Sequence, residues 1–247
     1  MTALPDVGND RLRGRRPRGS YVPINCQGGG RSGPQPVRNG RGDNLTMAKS
    51  GAATIERIIE TAERLFGLHG INGVPLRQIG REAGAANNFA VQFHFKTREG
   101  LVRAIFEHRL GPLEARREAM LAEFTEAGRE ATAFELLEVL FRPIMEQVDQ
   151  TGTHSYAGFL AGLSRFNQMV ERTSLHEMAP ITVKTRDLLS THYPELSPVA
   201  FAERFAVVSD MINTAISNQA ARSSHMEFDE LLAMAASALG ATTAPRP

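Results

Sequence analysis

The sequence has no tryptophan, only three tyrosines, a single cysteine and no run of about 18 uncharged apolar residues. Without such a run, no membrane-spanning helix is expected. Cys26, alone in a Gly-rich stretch, can neither close an intrachain disulfide nor build a thiolate metal site. The opening Met1-Thr-Ala-Leu-Pro-Asp6 lacks the roughly 7–15-residue apolar segment of a secretory signal, so a reducing cytoplasm is the expected compartment. The seven histidines form no His-x-x-x-His or His-Glu-x-x-His pair, and Gly-x-Ser-x-Gly is absent. Neither a phosphate loop nor a dinucleotide fingerprint set between a strand and a helix occurs. These gaps argue against hydrolase, metalloprotease and nucleotide-enzyme readings, and no catalytic residue, metal ligand or cofactor is predicted. Few aromatics alongside many Ala, Leu and Glu residues favour helices over sheets. The 42% of hydrophobic residues suffices for a substantial core.

The net charge of +1 hides an asymmetry. Residues 1–50 hold nine basic residues against three acidic ones, a net of +6, which leaves residues 51–247 at −5. That first segment is rich in Gly, Pro and Arg, has no hydrophobic period, and cannot bury enough surface to offset its ordering entropy. It reads as a disordered basic tail, suited at most to sequence-independent contact with a polyanion. Met47, just before the ordered pattern, would serve as an alternative translation start.

The ordered pattern opens at Thr54, read as an N-cap, with Ile55, Ile58, Ile59, Ala62, Leu65 and Phe66 on one helix face and Gly70 as the stop. Pro75 fits the start of a second helix, whose inward stripe is Leu76, Ile79 and Ala83. Gly84 ends that helix. Asn87 or Asn88 then caps a third, running to about Phe93 or His94, and Thr97 caps a fourth bearing Leu101, Val102, Ile105 and Phe106. The third helix carries amides, aromatics and a histidine, and no carboxylate. Held at a fixed angle by a small-residue turn, it suits reading base edges in a DNA major groove.

Ala62-x-x-Leu65-Phe66, Gly70, Ile79-x-x-x-Ala83-Gly84, Phe93-His94-Phe95 and Thr97-Arg98-Glu99-Gly100-Leu101 together resemble the TetR family of bacterial transcriptional regulators. The resemblance covers residues 54–110. It departs from the commoner pattern in two places: the Gly84-to-His94 segment is one residue longer, and Phe93 stands where a phosphate-binding Tyr is usual. The resemblance implies an all-α protein with an N-terminal three-helix helix-turn-helix DNA-binding domain (51–110) and a larger C-terminal ligand-binding and dimerisation domain (111–240), followed by a loose tail (241–247). It implies a cytoplasmic homodimer, nucleoid-associated when bound to a palindromic double-stranded operator, and a small apolar effector that releases a repressor. An activator, or a regulator answering to a protein partner, is the alternative. Asn87, Asn88 and Gln92 are assigned to base edges, where amides pair with adenine, and Phe89 or Ala90 to a thymine methyl. Arg77, Phe93, His94, Lys96, Thr97 and Arg98 are assigned to the DNA backbone or its neighbouring edges.

Beyond residue 110, Gly111-Pro112 predicts a break or bend in the fourth helix. Further helices are expected over 112–126, 131–150 (kinked at Pro143), 153–167, 174–191 (interrupted at Pro180), 198–221 and 228–239. Phe106, Phe141, Arg142, Met145, Phe159, Leu163, Phe166 and Met169 are the candidate pocket lining, though a Met and aromatic stripe equally suits an ordinary core. Leu188, Phe201, Phe205, Val208, Met211, Ile212, Ala215 and Ile216 are the candidate dimer surface.

Overall fold

The protein is described by a computed structural model covering residues 41–85, 87, 89–163, 177–219 and 227–241, with side chains from residue 51 onward. Nine α-helices and no strand occur among these residues: α1 (Arg41–His69), α2 (Leu76–Glu82), α3 (Ala90–Phe95), α4 (Arg98–Glu126), α5 (Ala133–Met145), α6 (Ser155–Leu163), α7 (Pro180–Ser190), α8 (Pro198–Ser217) and α9 (Phe228–Leu239). One contiguous apolar core runs from Ile58 on α1 to Leu239 on α9. The apolar stripe of α1 lies where its 3–4 spacing puts it, with Ile58, Ala62, Leu65 and Phe66 all buried.

Two boundaries differ from expectation. Thr54 is not a cap, because α1 begins at Arg41, and Met47 lies inside that helix. Gly111 and Pro112 do not break α4, which runs unbroken for 29 residues. At Pro180 the helical pattern is interrupted as expected: residues 177–178 are helical, Ala179 is not, and α7 starts at Pro180. Both prolines are exposed. At Pro180 the missing N–H falls in the first turn, where no intrahelical partner is required.

Capping is strongest at α5. The Thr132 Oγ1 accepts from the Glu135 N–H, and the Glu135 carboxylate accepts from the Thr132 N–H at 2.8 Å. Hydrogen bonds from Arg129, then from the Thr132 N–H, bring the Glu135 carboxyl down from 4.5 to about 2. A folded-state pKa below the usual glutamate value means a stabilisation complete above about pH 4.5 and lost as pH falls through about 2. In urea titrations at pH 7, Glu135→Gln is expected to cost about 1 kcal/mol. The gap to the wild type should close across that acid window.

Two contacts hold α1 against the body. The first is polar. Glu63 is fully buried, and its two carboxylate oxygens accept from Arg109 Nε at 2.6 Å and Nη2 at 2.8 Å. The Ser155 hydroxyl donates to the same carboxylate at 2.5 Å. Burial works against the charge on Arg109, but the bonds to Glu63 outweigh it and raise its pKa. The second contact is a close helix crossing. A Cβ on Gly67 of α1 would stand 3.0 Å from the carbonyl carbon of Gly158 and the nitrogen of Phe159 on α6. Gly162, one turn further along α6, lies against the Phe66 carbonyl.

Candidate nucleic-acid interface and cavity

Helices α2 and α3 are joined by a turn in which Gly84 takes φ 65°, a left-handed conformation that an L side chain rarely adopts. Val91 is buried, and half-buried Phe95 packs on the core, so α3 is pinned along one edge. Its other faces show Gln92, Phe93 and His94 to solvent, with Phe89 just ahead of its first turn. Phe89 and Phe93 are each 70% exposed, a poor arrangement for a surface meeting only water. The Lys96 ammonium donates to the Phe93 carbonyl at 3.0 Å and lies 5.4 Å from the centre of its ring. His94 meets the Phe93 ring edge-on.

Arg77 and Arg81 are exposed on α2, beside this face. The one carboxylate of α2, Glu82, is occupied: Gln78 and Arg64 both donate to it. Those bonds, the one from Gln78 first, hold its pKa below the usual range. No Asp or Glu occurs between Glu82 and Glu99.

The assigned readers divide by what their polar atoms already do. Gln92, Phe89, Phe93, His94 and Lys96 share the exposed face, with half-buried Ala90 at its start. Asn87 is exposed, and its Oδ1 accepts from the Phe89 N–H at 2.8 Å, so it shapes the turn ahead of α3. Asn88 lies outside the described residues. Thr97 caps α4 by accepting from the Gly100 N–H. Arg98 is a brace: its Nη1 donates to the carbonyls of Ile71 and Val74, the latter at 2.8 Å, and its guanidinium lies over the Phe66 ring. Its charge is thus directed into the chain, whereas Arg77, Arg81 and Lys96 are exposed.

A cavity of about 1030 Å³ opens among α4, α5, α6, α7 and α8. Phe106 and Phe141 line it as expected, joined by Leu110, Leu140, Ile144, Tyr156 and Leu160. Four expected lining residues do not. Arg142 turns outward to Glu138 and Asp229. Phe159 is buried in the core behind the wall, stacked on Tyr156 and edge-on to Phe106. Met145 and Leu163 pack on the core away from the opening. Phe166 and Met169 lie outside the described residues. Polar members unnoticed in the sequence are Arg117, Thr182, Arg186, Glu203, Ser209 and Asn213. Arg117 is buried; it donates to the Leu140 carbonyl at 2.9 Å and pairs with Glu114 at 3.2 Å. Burial lowers the Arg117 pKa and raises that of the Tyr156 phenol.

The expected dimer surface is largely turned inward. Phe201, Val208, Ile212 and Ile216 are buried within the chain, and Phe205, Met211 and Ala215 are half-buried. The outward stripe of α8 is instead Val199, Ala202, Ala206 and Val207, with Val199 and Val207 68% and 70% exposed. Leu188 on α7 is also exposed. A surface group of Glu56, Glu60 and His108 brings carboxylates and imidazole within 4.8 Å of one another. None of the three lines the cavity, and His108 borders a small pocket that His94 and Phe95 also line. Among the described residues no helix is long and apolar enough to cross a membrane.

A short helix with a carboxylate-free exposed face, fixed behind a tight turn and braced by two helices, defines a helix-turn-helix DNA-binding domain. Residues 58–105 match the family model described as bacterial regulatory proteins, tetR family. That match gives the chain a DNA-binding domain of this family's type and supports a DNA-binding transcriptional regulator. No curated protein matches it in sequence.

Proposed function

We propose that the protein is a repressor that binds a palindromic operator as a homodimer and leaves it when a small, mostly apolar effector enters the cavity. The observation that carries this reading is that one helix, α4, serves both ends. Its first turn packs beside α3, and Phe106, Leu110 and Arg117 further along it line the cavity. A ligand that fits one position of α4 better than another then shifts the reader through differential affinity. The cavity volume lies at the upper end of the roughly 300–1,000 Å³ usual for small-molecule sites, which favours a ligand over a protein partner. For the dimer, the outward stripe of α8 is an apolar surface that the fold leaves exposed. Because Val199, Ala202, Ala206 and Val207 also rim the cavity, a second copy laid there would narrow its mouth.

On this reading Gln92, Phe89 and Ala90 meet base edges, Asn87 sets the turn and offers its amide N–H, and Arg77, His94 and Lys96 meet phosphates. Thr97 and Phe93 sit at the groove wall. Selection of bound fragments from genomic DNA, run in parallel on the wild type and Gln92→Ala, tests it. The wild type should enrich one palindrome, its half-sites about 10–10.5 bp apart or a multiple of that. Gln92→Ala should keep general affinity and lose about 1–3 kcal/mol of discrimination at one base pair per half-site. Single half-sites would overturn the dimer. Absence of any enriched motif would overturn the operator, and an unchanged Gln92→Ala motif would remove that residue from the base contacts.

A further inference from the structure

A buried polar group of the cavity wall is left without a partner. Tyr156 on α6 is 2% exposed and lines the cavity, and its hydroxyl makes no hydrogen bond among the described residues. The Ser209 hydroxyl and the Asn213 Oδ1 on α8 are unpaired too, but they are sealed from any ligand, whereas the Tyr156 hydroxyl keeps accessible surface. Beside it stands Arg117, 3% exposed, the charge that acts on the phenol most strongly. A guanidinium has five N–H groups. In Arg117 three are used: Nε and Nη2 donate to the Leu140 carbonyl, and Nη1 donates to Glu114. One N–H on each terminal nitrogen has no acceptor among the described residues. Glu114 is itself shared, since it also accepts from the Thr182 hydroxyl at 2.5 Å and from the Ile181 and Thr182 N–H groups in the first turn of α7.

Resting on the effector reading above, we infer that the effector is a carboxylate with an apolar body. Its oxygens accept from the Tyr156 hydroxyl and the spare Arg117 N–H groups, and its body lies along Phe106, Phe141 and Leu160. Burial raises the pKa of the phenol, so at neutral pH the hydroxyl keeps its proton and donates. A carboxylate accepts through two oxygens and brings a charge to a buried cation, where such bonds are strongest. A neutral carbonyl offers one oxygen and no charge. An ammonium head offers only donors and meets the wrong sign, because the charged residues of the lining are Arg117, Arg186 and the exposed Glu203.

Calorimetric titration of the full-length, DNA-free protein with octanoate, methyl octanoate and octylamine at neutral pH tests the assignment. Octanoate should bind at least about tenfold more tightly than the ester, and octylamine no better than the ester. Tyr156→Phe keeps the ring and removes only the hydroxyl, so it should weaken octanoate binding by about tenfold and leave the thermal midpoint of the ligand-free protein no lower. Arg117→Met should abolish the preference for octanoate over the ester. If that variant does not fold, Tyr156→Phe decides alone. Ester or amine binding as tight as octanoate, octanoate affinity unchanged in Tyr156→Phe, or no binding of any probe would overturn the assignment. Operator retention in the same samples separates the two readings. Octanoate binding that leaves the operator bound overturns the effector and keeps the carboxylate site. Release by ester and octanoate alike overturns the carboxylate site and keeps the effector.

Discussion

Glu63→Ala should lower the free energy of unfolding by about 3–5 kcal/mol, because it strands the Arg109 guanidinium without its carboxylate. The Arg109 side chain is 17% exposed, so water solvates it only in part. Ser155 loses its acceptor in the same step. Against a total stability of about 5–15 kcal/mol, that loss is large. Denaturant titration reads it as a lower midpoint at unchanged slope. The double substitution Glu63→Leu, Arg109→Met should recover most of the loss, since removing both charges also removes their desolvation. A cost below about 1 kcal/mol for Glu63→Ala would mean that the carboxylate is not the buried partner described here.

Gly67→Val should be next in size. A single added carbon already meets two backbone atoms of α6 at 3.0 Å, and backbone cannot turn aside as the end of a side chain can. Parting α1 from α6 should cost about 1–3 kcal/mol or more. Gly51→Ala in the same helix is the control, because nothing lies within 4 Å of a Cβ there. That substitution should add about 0.5–1 kcal/mol from helix propensity. Opposite signs from two glycines of one helix would place the effect in the crossing. Equal signs would place it in propensity alone.

What the sequence showed of this fold was what is written locally. The stripe of α1, the Gly70 stop, the Thr97 cap and the Gly84 turn each depend on residues within a few positions, and each lies where spacing puts it. Glu63 was not, because a carboxylate on a helix normally faces water, and only Arg109, 46 residues away, makes its burial tolerable. Gly158-x-x-x-Gly162 likewise acquires meaning only when Gly67 arrives from another helix. Helix α8 misled because it is apolar on both sides. Phe201, Val208 and Ile212 take the core, and Val199 and Val207 are left outside. The reader was therefore visible at the level of a surface, while the work of single side chains such as Arg98 depends on carbonyls 24 and 27 residues earlier. The cavity, a space between five helices, has no local signature.

The unbroken α4 gives the molecule a mechanical ratio. Arg98 beside the reader and Arg117 on the cavity wall are 19 positions apart on one rod, about 28 Å at 1.5 Å per residue. A tilt of roughly 4° about the cavity end then carries the reader end through about 2 Å, a large fraction of a hydrogen-bond length. Gly111 and Pro112 lie on the exposed side of that rod between its two ends. On the proposed reading, the bending stiffness of α4 at those two residues sets how much of a small displacement at the wall reaches the reader as motion, and how much is absorbed as flexure on the way.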